Sequence, residues 1–421
     1  MIKEGIINIY KPMGMTSHDC IYVMRRLTGI KRIGHTGTLD PNATGVLPTC
    51  IGTAARVTEY MDMDYKTYLC SMNLGMETDT QDIWGKVLSD KRAEILENPF
   101  SENEIRSAFS EFCGVISQYP PKYSAVRIAG RRLYEYARDG AEVEIKPRTV
   151  YIKSLDIKKI DTKEQSITFE VCCSKGTYIR SICHDVGYTL GCGGVLTSLE
   201  RTESGAFKAD EAVDLEYLRA LSNIAGPIRK YLDDEKKANT TLKVAEKINK
   251  EDDIIGNNQG KIAEALIKLK TFLPKADGSG QAGAIEIYKA VSEERPSGEI
   301  LNLIEDEINA YVMPVDVGMM AFGKAVIKTE ERSRWFVNGG HISFKEVEVL
   351  SKPMYEKQDF PLEIREDYKR AYCLYAPAKK GDIPEKSDNN SDVLAASEFL
   401  GVAFYSEKYK KLVADKVFTR Y

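Results

Sequence analysis

A chain of 421 residues with 43% hydrophobic side chains is long enough for two or three domains and a sizeable buried core, which excludes a disordered or a small disulfide-stapled protein. Its 59 basic and 63 acidic residues leave a formal net charge of −4, which argues against wholesale coating of nucleic acid. The balance is uneven: 30 basic face 30 acidic residues in 1–230, but 11 face 16 in 231–310. Local basic pairs stand out in the first part, namely Arg25 with Arg26, Lys31 with Arg32, and Arg131 with Arg132. No run reaches the roughly eighteen uninterrupted apolar residues of a membrane helix, and the opening MIKEGIINIYKPMG lacks the apolar core of a signal peptide. A soluble, cytoplasmic protein is expected.

The opening GIINIYKP alternates as a strand does and breaks at Pro12. Ser17 then caps a helix with Cys20, Ile21, Met24 and Leu27 at helical spacing, ended by Gly29. The next stretch, RIGHTGTLDPNATGVL, holds three glycines and an Asp-Pro-Asn, turn chemistry that places Asp40 on a loop. KTYLCSMNLG has period two, with Tyr68, Cys70, Met72 and Leu74 on one buried face. Ser101 and Glu104 form a capping box ahead of Ile105, Ala108, Phe109 and Phe112, and Gly114 closes that helix. A short helix covers Arg131 to Arg138. ITFEVCC is a strand, SKG a turn, and TYIRSICHDVGYTLG a helix that turns Ile179, Ile182, Cys183, Val186 and Leu190 inward, with Arg180 off that stripe in the first turn.

From about Tyr231 to Ala310 the chain becomes charged and poor in aromatics, with NNQG and KADGSGQAG as flexible breaks. KIAEALIKLKTFL and SGEILNLIEDEINAYV each carry an apolar helical face, so this segment is expected to be a mostly helical insertion on the surface. The remainder, from about Lys324, is rich in short strand-like runs, contains the loop KKGDIPEKSDNNSD, and ends in a hairpin pattern, FLGVAFYSEKYKKLVADKVF.

Nine cysteines lie scattered without CxxC spacing, as reduced thiols packed among apolar groups do. Cys172, Cys173, Cys183 and His184 gather loosely, yet adjacent cysteines on a strand point to opposite faces and zinc spacing is absent, so no metal site is expected. Asp40 is open to two explanations. An Asp-Pro-Asn turn accounts for it by itself, but the glycines around it allow close approach, and Thr36, Thr38 and Thr44 can bond a carboxylate or a ribose. A half-buried carboxylate needs a cation, and Arg180, at the start of a helix where a guanidinium fork and free N–H groups both favour an anion, is the candidate. Tyr68 is either a core aromatic or a platform for stacking a base, and His35, between Gly34 and Thr36, is either structural or able to enter a nucleic-acid stack. GHTGTLD lacks a Gly-Lys-Ser/Thr ending and SKGT lacks the upstream glycine, which excludes both as nucleotide-binding loops.

Six blocks occur in order between Ile6 and Phe207: NIYKPMGMTSHD, GHTGTLDPNATGVLP, YKTYLCSMNLGMETDTQDIWGKV, QYPPKYSAVRIAGRRLYEYARDG, VCCSKGTYIRSICHDVG and LTSLERTESGAF. As a set they resemble the TruB family of tRNA pseudouridine synthases. The resemblance implies an α/β (α+β) pseudouridine synthase fold, a mixed and mostly antiparallel sheet flanked by helices, followed by a small β-rich PUA-like RNA-binding domain. Its domains are expected at 1–230, completed by 311–323, with the helical insertion at 231–310 and the PUA-like part at 324–421. The resemblance also assigns Asp40 as the catalytic aspartate, Tyr68 as the tyrosine that stacks on the target uracil, and Arg180 as the arginine that pairs with the aspartate. His35 corresponds to a histidine associated with base flipping, Leu199 to an apolar wall of the uracil pocket, and Lys11 with Pro12 to a block that supports the active-site loop. Tyr178, Arg32, Arg131, Arg132 and Lys175 complete the expected substrate contacts. The implied substrate is uridine 55 in the T-arm stem-loop of tRNA, isomerised by a monomer that needs no metal, cofactor or protein partner. Two other functions compete: a catalytically silent tRNA-binding or chaperone protein, and a pseudouridine synthase acting on other RNAs.

Overall fold

The computed structural model describes residues 1–61, 65–241, 251–273, 281, 283–293, 295–354, 367–378 and 390–418. They form two compact units, Met1–Glu59 with Phe207–Val315, and Tyr60–Ala206 with Asp316–Tyr421. Among the described residues no helix is long and apolar enough to cross a membrane.

In the first unit the strand Gly5–Lys11 runs antiparallel to Thr44–Ile51 and parallel to Val213–Asp214, and the short strand Ile33–His35 pairs with the other side of Thr44–Ile51. Ile6, Ile7 and Ile9 are all fully buried, so this strand is covered on both faces. The helix Ser17–Thr28 follows, one residue off the expected cap. Thr16 is the N-cap, with its hydroxyl accepting from the Asp19 amide at 3.1 Å while the Asp19 carboxylate accepts from the Thr16 amide at 2.8 Å. The helix ends at Gly29, whose φ of +74° is the left-handed turn that glycine adopts without strain.

Among the described residues, four α-helices complete this unit: Leu215–Thr241, Glu251–Lys270, Gly283–Ser292 and Ser297–Ala310. NNQG, expected as a break, lies inside Glu251–Lys270, because a lone glycine and two asparagines lower helix propensity without forbidding it. Most of KADGSGQAG, at 275–280 and 282, lies outside the described residues. The helical segment is not a surface attachment. Ile262, Leu269, Ile287, Ile300, Ile304 and Ile308 belong to the same buried cluster as Ile7, Ile9, Cys20, Met24 and Leu27. After the last helix the chain returns to the first strand, where Ile6 and Met313 exchange backbone hydrogen bonds of 2.9 and 2.8 Å. Gly5 beside them leaves no room for a side chain, since a Cβ there would stand 2.4 Å from the Met313 carbonyl oxygen.

The second unit contains an antiparallel sheet in the order Gly194–Ser204, Lys66–Leu74, Ser166–Cys173, Arg148–Asp161, Gly114–Gln118. The helices Glu102–Ser110 and Ile179–Thr189 pack on one face, bringing Ile105, Phe109, Ile182 and Val186 against Cys70, Met72, Phe169 and Val171. The period-two face expected for Lys66–Leu74 is the buried one, and the Ser101–Glu104 capping box is formed. Gly114 differs from expectation: the helix stops at Ser110, and Gly114, at φ +91°, opens the next strand.

Later residues of the same unit build a five-stranded sheet in the order Val347–Ser351, Gly323–Ile327, Ala371–Tyr375, Phe399–Ser406, Lys411–Val417. Its last two strands are the hairpin read from the sequence. Of the loop KKGDIPEKSDNNSD, 379–389 lie outside the described residues, and a short helix begins at Asn390.

Candidate active site

Asp40 lies, half-buried, in the segment between the strands Ile33–His35 and Thr44–Ile51. Both of its neighbours are anchored. Leu39 is held by Ser17, whose hydroxyl accepts from the Leu39 amide at 2.9 Å and donates to the Leu39 carbonyl at 3.2 Å. The Pro41 carbonyl accepts from the Gly14 amide at 2.9 Å and from the Lys11 ammonium at 3.1 Å. Lys11 is fully buried, and its Nζ also donates to the carbonyls of Met15 at 2.6 Å and Pro12 at 2.9 Å. Three carbonyl dipoles thus take the place of the water a buried ammonium would lose. Lys11 therefore ties the carbonyls on the two sides of the Asp40 loop together from beneath. The Asp40 carbonyl accepts from the Ala43 amide at 3.1 Å, which closes the Asp-Pro-Asn turn. Ser17, expected as a helix cap, has this anchoring task instead. Thr36 is buried, Thr38 exposed and Thr44 half-buried; His35 ends its strand opposite Thr49.

Tyr68 lies in the second unit, on Lys66–Leu74, where its Cα partners are Val171 on one side and Arg201 on the other. Cys70, two residues on, pairs with Leu199. Alternation along both strands therefore puts Tyr68, Leu199 and Arg201 on one face of the ladder. Tyr68 and Leu199 are half-buried against the core of this unit, whereas Arg201, directly across the ladder from Tyr68, is 1% exposed. Burial pushes the Tyr68 phenol up to about 12, with the Arg201 charge opposing part of the rise.

Arg180 enters as the second residue of Ile179–Thr189 and is almost completely buried. Its guanidinium donates from Nη1 to the Thr80 carbonyl at 2.8 Å and from Nη2 to the Tyr123 carbonyl at 3.0 Å, and Nη1 lies 3.8 Å from an Asp82 carboxylate oxygen. The turn that carries it is fixed from the side. Gln118 accepts from the Tyr178 amide at 2.8 Å and donates to the Tyr178 carbonyl at 3.0 Å, while the Ser181 hydroxyl donates to the Tyr119 carbonyl at 2.9 Å. Gln118, Asp82 and Arg201 were not singled out in the sequence. Asp82 lies in ETDTQD and Gln118 opens QYPP, two blocks that carry the family resemblance; Arg201 was visible as a charge on the apolar face that Leu199 defines.

The expected RNA-backbone cations differ in availability. Arg32, Arg132 and Lys175 are exposed. Arg131 is half-buried and engaged at home, paired with the Asp139 carboxylate, donating to the Glu135 carbonyl at 3.0 Å and lying 4.7 Å from the Tyr136 ring centre. All nine cysteines are free, and no group of three or more His, Cys, Asp or Glu among the described residues is placed to hold a metal ion.

Comparison with known proteins bears on what this arrangement does. Residues 25–179 match the model of the TruB family pseudouridylate synthase N-terminal domain, and 180–235 match that of the tRNA pseudouridylate synthase B C-terminal domain. A tRNA pseudouridine synthase B from Alkaliphilus oremlandii is 48% identical over 221 residues, covering 52% of this chain and 72% of the relative. One from Bacillus pumilus is 42% identical over 222 residues, covering 52% and 71%. Among solved structures, a chain of an H/ACA RNP bound to a substrate RNA containing 2′-deoxyuridine aligns with a TM-score of 0.55 at 18% identity, covering 99% of this chain and 85% of that one. A chain of an archaeal box H/ACA sRNP does so with a TM-score of 0.55 at 20% identity, covering 100% and 87%. At that identity the likeness is one of fold. With nearly half the aligned residues identical across more than two thirds of the Alkaliphilus enzyme, the chain belongs to the TruB family and is a pseudouridine synthase.

Proposed function

We propose that this enzyme isomerises uridine 55 in the T-arm of tRNA, acting as a monomer, with Asp40 performing the covalent chemistry and without metal or cofactor. The observation that carries the assignment of Asp40 is the double anchoring of its neighbours: Ser17 holds Leu39, while Lys11 and Gly14 hold Pro41. A turn that only reverses the chain needs no buried ammonium beneath it. A carboxylate that must meet one ribose carbon does, because loss of about 1 Å in placement costs about 100-fold in rate. The relatives named tRNA pseudouridine synthase B support tRNA as the substrate.

The reaction breaks N1–C1′, turns the freed uracil over, joins C5 to C1′ and releases the C5 proton. Asp40 serves it by attacking C1′ as a nucleophile or by taking the C2′ proton. In either route the rejoining step returns Asp40 to the carboxylate form. That carboxylate is then the base for the C5 proton, since Tyr68, with its phenol pushed up to about 12, is protonated at neutral pH and meets the substrate as a stacking surface and hydrogen-bond donor. Arg180 is assigned to pair with Asp40 and aim it, and Leu199 to wall the base. Reaching a base inside a folded loop requires flipping it out, at a cost of a few kcal/mol, to which His35 and phosphate contacts from Arg32, Arg132 and Lys175 are opposed.

Tritium release from C5-tritiated uridine tests this. A T-arm stem-loop carrying one labelled uridine at the target position is expected to release its tritium completely in the presence of a chelator. Release from unrelated RNA hairpins at the same rate would contradict the T-arm assignment. Tight binding with no release from any RNA would establish the silent binder instead.

A further inference from the structure

Two large aromatic side chains are left in solvent by segments bonded to the turn that carries Arg180: Trp84 is 45% exposed and Tyr119 62%. A lone exposed ring is ordinary, but these two stand on firmly held backbone, and one helix start holds both. Trp84 lies in the connection between the strands Met76–Thr78 and Val87–Asp90, which Asp82 organises. One Asp82 carboxylate oxygen accepts from the Thr80 hydroxyl at 2.6 Å and from the Trp84 amide at 3.2 Å, while the other lies 3.8 Å from Arg180 Nη1. The Gln81 carbonyl accepts from the Leu196 amide at 3.2 Å and the Leu196 carbonyl from the Ile83 amide at 2.9 Å, which sews the connection to the strand that bears Leu199. Gly85 closes it so tightly that a Cβ there would stand 2.2 Å from the Thr80 hydroxyl oxygen. Tyr119 is held by the next residue of the helix: the Ser181 hydroxyl that donates to its carbonyl also lies 3.1 Å from the Gln81 side-chain oxygen. Arg180 and Ser181 thus fasten both ring-bearing segments, and an exposed lysine follows each ring, Lys86 after Trp84 and Lys122 after Tyr119.

We propose that Trp84 and Tyr119 form a stacking subsite for unpaired RNA bases that neighbour the flipped uridine. Every base has a π-face, so a ring on a rigid support gains the stacking energy with little ordering cost, and a lysine beside it serves the phosphate backbone. Ile83 and Leu88 are also exposed, which makes a second copy of this chain the competing occupant. The bonds to Arg180 favour RNA, since a dimer contact has no need to lock its ring to a residue of the reaction centre. The inference rests on Arg180 lying at that centre, as proposed above.

Fluorescence and RNA affinity test it. The chain has two tryptophans, Trp84 and Trp335, so Trp335→Phe leaves Trp84 as the reporter. In that background with Asp40→Asn, the T-arm stem-loop is expected to quench Trp84 emission over the same concentrations that saturate binding. Trp84→Ser and Tyr119→Ser are each expected to weaken affinity about 5- to 100-fold with unfolding midpoints within about 3 °C of the wild type, and Trp84→Phe and Tyr119→Phe to recover most of it. If a serine variant does not fold, quenching decides, because it is read with both rings in place. Emission left unquenched by saturating RNA, or folded serine variants that bind as tightly as the wild type, would overturn the proposal. So would a mass that rises with protein concentration in light scattering and returns to that of one chain in Trp84→Ser, which would give the rings to a second copy. Stem-loop binding without tritium release would end the assignment of Asp40 and leave this inference standing. Full release with undiminished binding by both serine variants would do the reverse.

Discussion

The Asp40 loop and the Tyr68 ladder solve the same problem by different means. Each must present one polar side chain at a fixed angle. Tyr68 inherits its place from strand register, since the partners Val171 and Arg201 follow once the hydrophobic face of Lys66–Leu74 is buried. Asp40 has no ladder to inherit from. Its loop depends on a few dedicated bonds, four of them from Ser17, Gly14 and Lys11 to the residues on either side of it. A regular element therefore spreads its positioning over many weak contacts, whereas an irregular one concentrates it in a few costly groups, and the two should respond differently to mutation.

Among substitutions that leave Asp40 itself in place, Lys11→Met should show the largest effect. It removes the donor from three carbonyls, and we expect a loss of about 3–5 kcal/mol in chemical denaturation together with about 100-fold in turnover. Unchanged turnover in the folded variant would mean that the loop is placed by other means. Ile304→Ala truncates a fully buried side chain in the helical segment and should cost about 2–5 kcal/mol, while the folded enzyme keeps its turnover. A negligible loss would restore the picture of a detachable insertion. Arg180→Lys should lower turnover by about 10- to 100-fold with RNA binding retained, because an ammonium cannot reproduce the fork that reaches Thr80 and Tyr123 together. Nearly full turnover would remove the fork from the account.

Alkaline pH sharpens the same contrast. Burial raises the Cys20 thiol to about 11, and the Cys173 thiol and Tyr68 phenol to about 12. The folded state then holds protons that the unfolded state releases from about pH 9 for thiols and pH 10 for phenols. Stability should fall as pH rises from about 9 toward 12, a trend that denaturation midpoints across this range would reveal.

Local chemistry was the legible part of the sequence. Period two marked Cys70, Met72 and Leu74 as one buried face, and the Ser101–Glu104 spacing marked a capping box. The first helix shows the limit of such signals. Thr16 and Ser17 can both cap, and only Asp19, three residues after Thr16, decides between them. Long-range partnership left less trace. An amphipathic helix announces that it has an apolar face but not what covers it, so Ile262, Ile300 and Ile304 read as the inner side of an appendage when they share a buried cluster with the first strand and helix. Gln118 clamps Tyr178 from 60 positions away, which no local pattern encodes.

The central claim is that a single carboxylate, held between two anchored neighbours, carries the isomerisation. Tritium release from the labelled T-arm stem-loop by Asp40→Asn, an isosteric change that spares the loop, tests it most directly. The account predicts a fall of at least about 1,000-fold at saturating RNA, with affinity for the stem-loop and the unfolding midpoint close to those of the wild type. Release by the variant within about tenfold of the wild-type rate would contradict it.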